Sequence, residues 1–356
     1  METKPFIRWY LTASLLLLFL LTGCGNTADK PPASEIVGNE KSSGKDMEPT
    51  ATPEPAETPE PTEEVHIEEE FDPLPPGQKY GKISVSRDRK TIYVHGWVDP
   101  YDLSDRRTKK AEKIVFCEDA GILAEECDFD GSIDASYASY LNSAPLVKEV
   151  VVEKGNPFLY AKDSMLIKRK GADQYTDGDQ LVFCVPRKKG AVRVPESVEC
   201  IGRCAFIGCS GITSVRFPAS SSLYEGCFAD MKSCKSIQVD KKSNKDTLLY
   251  TKDGILYTRE FLEYAWVIAY PAGKTDRVYK APENTWGISP CAFQGADHLR
   301  EVYLPSRLKE IKEYTFSDCK NLRKVVVKNK KKISLVDGRA FLNCPNLEEH
   351  VKDKDW

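Results

Sequence analysis

The side chains that could do covalent or metal chemistry in this chain are twelve cysteines, four histidines and one short acidic run. The run is Glu126-x-Asp128-x-Asp130-Gly131-Ser132-Ile133-Asp134, which fits positions 1, 3, 5, 6, 8 and 9 of a calcium loop. Position 12 is Tyr137, where a bidentate glutamate belongs, so 126–137 reads as an acidic surface turn. Cys200-x-x-x-Cys204-x-x-x-x-Cys209 has no second cluster at zinc spacing and supplies no metal site. Cys117 and Cys127 follow no pattern, and a local disulfide between them stays open. His66, His95, His298 and His350 stand at no motif position with a Ser or Cys nucleophile, and no nucleophile elbow, metal-ligand helix or phosphate loop occurs. The chain therefore reads as non-enzymatic, with no cofactor and no bound metal.

One cysteine does carry a chemistry. Lys4 and Arg8 precede an apolar run, Leu11 to Leu21, that is too short to span a bilayer but suits a secretory leader. It ends in Leu21-Thr22-Gly23-Cys24, which resembles the lipobox of bacterial lipoproteins. That resemblance implies acylation of Cys24, removal of residues 1–23, and a protein held on the outer face of the cell membrane by two or more acyl chains, enough for stable anchoring.

The formal charge of −3 is an average over unlike parts. Residues 25–77 carry 14 acids, 3 bases and 10 of the 22 prolines, with no aromatic before Phe71. Such a segment cannot bury enough apolar surface to order itself, so 24–77 is expected to be a lipidated, disordered acidic tether. Residues 78–356 carry the balance, +7. Export, more than charge, excludes nucleic acid as a partner.

Those residues repeat. Val198-x-x-Ile201-x-x-x-Ala205-Phe206-x-x-Cys209-x-x-Ile212-x-x-Val215-x-Phe217-Pro218 recurs around Phe228, Phe293, Phe316 and Phe341, with a weaker copy from Leu141 to Val152. Strand ends are predicted at 152, 194, 217, 239, 281, 304 and 327, four of them followed by proline, which cannot extend a ladder. Steps of 42 residues alternate with steps of 22 or 23, and each long step holds a hairpin, Leu159–Leu166 or Leu249–Leu256. One unit cannot bury its own apolar face, but stacked units make ladders of like residues. The prediction is a β-rich solenoid with short parallel strands on a concave face and hairpin insertions in two long repeats. Residues 78–139 form a β cap and divergent first repeat, with Ile114-Val115-Phe116 as first rung, and 140–356 the solenoid, closed by a polar cap at His350 and Lys352. Cys209, Cys319 and Cys344 share a position with Met231 and Ala296, so they read as soft core groups, and Cys204 and Cys291 share another.

The Ala-Phe-x-x-Cys-x-x-Leu core, the Val-Pro starts and the hairpin Tyr250 to Tyr257 resemble the leucine-rich repeats of BspA-like bacterial surface proteins over about 140–350. The resemblance implies a non-enzymatic exported protein, with some members similar to adhesins for host matrix or other cells.

Between the two core positions of each strand lies an outward residue. Stacked, these give a stripe of Arg193, Arg216, Gln238, Lys280 and Tyr303 along the concave face. Arg and Tyr are favoured at interface cores, so the stripe is the candidate site for an anionic or aromatic-bearing protein or glycan on host or neighbouring cells. The alternative is a structural, envelope-organising lipoprotein without a host ligand.

Overall fold

The computed structural model describes residues 74–75, 77–99, 102–103, 106–123, 144–173, 176–240, 248–259, 264–328 and 333–348. Cys24, nearly all of the tether, the acidic run 126–137 with Cys127, and the cap residues His350 and Lys352 lie outside the described residues.

The chain coils as a β-solenoid, alternating between two strand-bearing faces. One face carries β1 (Lys82–Val85), β2 (Thr91–His95), β4 (Lys113–Phe116), β6 (Glu149–Val152), β10 (Lys189–Arg193), β12 (Gly211–Phe217), β14 (Ser236–Val239), β18 (Val278–Lys280), β20 (Glu301–Leu304) and β22 (Lys324–Val327). The other carries β3 (Trp97–Val98), β5 (Gly121–Ile122), β7 (Leu159–Lys162), β8 (Met165–Lys168), β9 (Asp179–Cys184), β11 (Val198–Ile201), β13 (Ser222–Leu223), β15 (Leu249–Lys252), β16 (Ile255–Arg259), β17 (Ala265–Ala269), β19 (Thr285–Ile288), β21 (Glu310–Ile311) and β23 (Leu335–Val336).

Alternation builds the first face. In β12, Val215 and Phe217 are buried while Arg216 between them is exposed, and β20 and β22 alternate likewise with Tyr303 and Val326 half-buried between their core positions. Parallel ladders join β2-β4-β6, β10-β12-β14 and β18-β20-β22, so the predicted row is three separate sheets. The first rung is β2, one coil earlier than Ile114–Phe116, and Lys82–Val98 holds three strands. The second face was not foreseen as a sheet. There β9, β11 and β13 pair in parallel, as do β17 and β19, and each predicted hairpin adds antiparallel strands to its edge. The hairpin turns place Asp163, Ser164, Asp253 and Gly254 at positive φ, as a two-residue hairpin turn requires.

Between the faces runs a turn bearing the repeat phenylalanine. Phe206 stacks on Phe228 at 5.6 Å, and Tyr270, Phe293, Phe316 and Phe341 stack in series at 5.1, 4.9 and 5.4 Å. Positions two residues either side of this aromatic are left-handed: Cys204, Gly226, Cys291 and Tyr314 before it, Gly208, Asp230, Gly295, Asp318 and Asn343 after it. The second column explains why Gly, Asp and Asn alternate there, since these residues tolerate that conformation best.

Asp230 bears a cost in that column. Burial, with Asp318 and Asp297 nearby, raises its carboxyl to about 6. Between roughly 4 and 6 the folded chain therefore binds more protons than the unfolded one, so stability falls as pH rises through that window. Asp230→Asn, which keeps the residue type found at Asn343, is expected to stabilise by about 1–2 kcal/mol at pH 7 after discounting for partial exposure. Melting curves of both proteins should converge below pH 4; a gain that persists there would show that charge is not its source.

Candidate functional site

The predicted stripe is assembled in register. Arg193 lies opposite Arg216, and Arg216 opposite Gln238, across β10, β12 and β14. Lys280 lies opposite Tyr303, and Tyr303 opposite Val326, across β18, β20 and β22. No ladder connects the two triplets, so they are distinct patches.

The first triplet edges a cleft of about 650 Å³, whose far wall is the β15–β16 turn at Asp253 and Gly254. Asp240, one residue beyond β14, was not picked out from the sequence, although it sits two residues after Gln238. It binds Arg193 through both oxygens, at 2.8 and 3.2 Å, and lies 3.6 Å from Arg216. Glu196 takes a further contact from Arg193 at 3.3 Å, and Arg216 donates to the Gln238 amide oxygen. Two cations thus share the cleft with three carboxylates, Asp240, Glu196 and Asp253 of the far wall, in a dense array of planar hydrogen-bonding groups. In the second triplet Lys280 lies 5.6 Å from the centre of the Tyr303 ring, and the Tyr303 hydroxyl donates to Glu301 at 2.7 Å, which raises the phenol's pKa.

The structure also joins residues that the sequence kept apart. Cys117 Sγ lies 3.7 Å from His95 Nε2, a nucleophile-and-base pairing. Its electrostatics oppose that chemistry: burial, with Glu153 and Asp119, pushes the thiol up to about 11, where a nucleophilic cysteine needs it lowered. The repeat-position cysteines are buried, and burial drives Cys319 well above its ordinary range. They do more than fill space, because Cys209, Cys319 and Cys344 donate S–H to carbonyls of the preceding coil at 3.4, 3.1 and 2.9 Å. Met231 and Ala296 occupy the same position without such a donor. Among the described residues no cluster of three or more His, Cys, Asp or Glu side chains could hold a metal ion.

The coil geometry has a counterpart among known sequences. The profile of the BspA type leucine rich repeat region matches six copies, over residues 183–249 and 278–354. These are BspA-type leucine-rich repeats. No curated protein matches the chain. Among solved structures, a leucine-rich repeat protein from Eubacterium ventriosum ATCC 27560 is similar at 14% identity and TM-score 0.41, covering 75% of this chain and 81% of that one. A leucine rich cell surface protein from Faecalibacterium prausnitzii A2-165 gives 14% and 0.35, covering 78% and 88%. The pneumococcal vaccine antigen PcpA gives 15% and 0.36, covering 71% and 60%. The BspA-type profile begins at β9, yet β2, β4 and β6 already stack in parallel, so coiling precedes the matched copies.

Proposed function

We propose that this protein is a lipoprotein anchored through Cys24 at the cell surface, and that its BspA-type repeats bind a protein or glycan on host matrix or other cells without covalent chemistry. The observation that carries this reading is the in-register row of Arg193, Arg216 and Gln238 beside the cleft. Solenoids bind along such repeated faces, and arginines held by carboxylates are pre-organised donors. The lipobox residues Leu21 to Cys24 and the family's surface members support the location. Because the cleft's carboxylates outnumber its cations by one, a ligand rich in hydroxyls and amides fits it better than a purely anionic one.

The test is binding of the acylated chain, displayed on vesicles, to matrix proteins, host cells, other bacteria and the producer's own wall. Exchanging Arg193, Arg216 and Tyr303 together for alanine is expected to weaken capture at least tenfold with the melting temperature little changed. Capture undiminished in the triple variant would remove the stripe as the site. Binding confined to the producer's wall would replace adhesion with an envelope-organising role.

A further inference from the structure

The second face carries a feature the repeats do not require. Tyr264, just before β17, and Trp286 in β19 are half-buried, with ring centres 5.3 Å apart at 51°. Exposed Arg307 lies 5.6 Å from the Tyr264 ring and contacts its hydroxyl at 3.3 Å. Beside them Lys312 lies 5.8 Å from the ring of Trp266, whose indole covers Gly287 so closely that a Cβ there would meet it at 2.5 Å. The first super-repeat supplies an internal control. Cys200 pairs with Gln180 as Gly287 pairs with Trp266, which puts Glu199 in the place of Trp286 and Gly178 in that of Tyr264. The same pair of strands thus forms with polar or absent side chains, so the aromatic residues are additions to the scaffold.

We propose that Tyr264, Trp286, Arg307 and Lys312 form a second binding site, for a glycan bearing carboxylate groups. Aromatic faces are the negative side of a quadrupole and attract both cations and the polarised C–H faces of a pyranose. Among the described residues Arg307 forms no ion pair with a carboxylate, in contrast to Arg193 and Arg216, which share Asp240, while Lys312 acts at longer range on the buried Glu225, opposing the rise that burial gives its carboxyl. A stacked guanidinium keeps donors for a bidentate carboxylate contact. The site comprises four side chains, whereas a stable protein interface needs roughly 20–30 residues a side, so a short run of sugar rings fits it better than a folded partner.

The experiment titrates the full chain with an oligogalacturonate, its methyl-esterified counterpart and poly-glutamate, following tryptophan fluorescence and heat. The acidic sugar is expected to bind, the ester at least tenfold more weakly and the peptide more weakly still. Trp286→Glu, the residue the first super-repeat uses, should lose at least tenfold while keeping its melting temperature. An Arg307→Ala, Lys312→Ala double variant, altered only at surface-reaching side chains, should lose about tenfold and most of the salt dependence. Absence of oligogalacturonate binding, equal binding of the ester, preference for poly-glutamate, or unchanged binding in both variants would each overturn the proposal. Loss in an Arg193→Ala, Arg216→Ala variant with none in Trp286→Glu would also overturn it, placing the sugar in the cleft.

Discussion

Replacing Phe293 with alanine is expected to lower stability by about 3–5 kcal/mol, the range for emptying a buried aromatic site. Phe293 is fully buried, stacked between Tyr270 and Phe316 and tilted against Tyr279 at 5.1 Å. The upper half of the range applies because the site cannot collapse. Its coil is pinned to the neighbours by Tyr270 N–H to Ala292 O at 2.7 Å and Phe293 N–H to Thr315 O at 2.9 Å. Emptying it weakens the contact on both sides, and solenoid stability is close to a sum of such nearest-neighbour terms. Phe341, at the described end of the column and only half-buried, gives the comparison. Urea unfolding should show Phe293→Ala losing at least twice as much as Phe341→Ala, with the coils before Tyr270 melting apart from those after it. Equal losses would mean that the aromatic column does not couple the coils.

The column was legible because stacking makes each coil repeat its demands. Val215 and Phe217 alternate with Arg216, and Phe206, Phe228, Phe293 and Phe316 keep fixed offsets from their strands, so periodicity alone placed the first face and its outward stripe. The second face escaped because strands such as Ser222–Leu223 and Glu310–Ile311 have two residues each, too few to show any period. The left-handed turn positions were hidden for another reason: Cys204, Cys291 and Tyr314 occupy a conformation that sequence reasoning assigns to glycine. At the candidate site, position was readable but charge was not. Asp240 meets Arg193 from 47 residues away, and only the stacking of coils brings them together. The same stacking exposes the asymmetry that matters for ligand choice. Arg193 and Arg216 of the predicted row are paired with Asp240 on one face, while on the other Arg307, beside an aromatic ring, has no ion pair among the described residues.

A second large effect is expected inside the first hairpin. Lys168 in β8 and Asp173 form an ion pair with both side chains more than nine-tenths buried. The ammonium also lies 5.7 Å from the Trp97 ring, and Thr176 donates to Asp173 at 2.6 Å. Asp173→Ala would take away the carboxylate that faces a buried cation, and a loss of about 3–5 kcal/mol follows. The fold itself does not demand the charge. Lys168 pairs with Leu159 as Thr258 pairs with Leu249, so the second hairpin closes the same ladder with a threonine. Lys168→Thr combined with Asp173→Ala should therefore recover most of the stability lost in Asp173→Ala alone. Chemical denaturation of the single and double variants gives the coupling directly. A double variant no more stable than the single would mean that Asp173 acts through Thr176 and its own loop, with the ion pair contributing nothing.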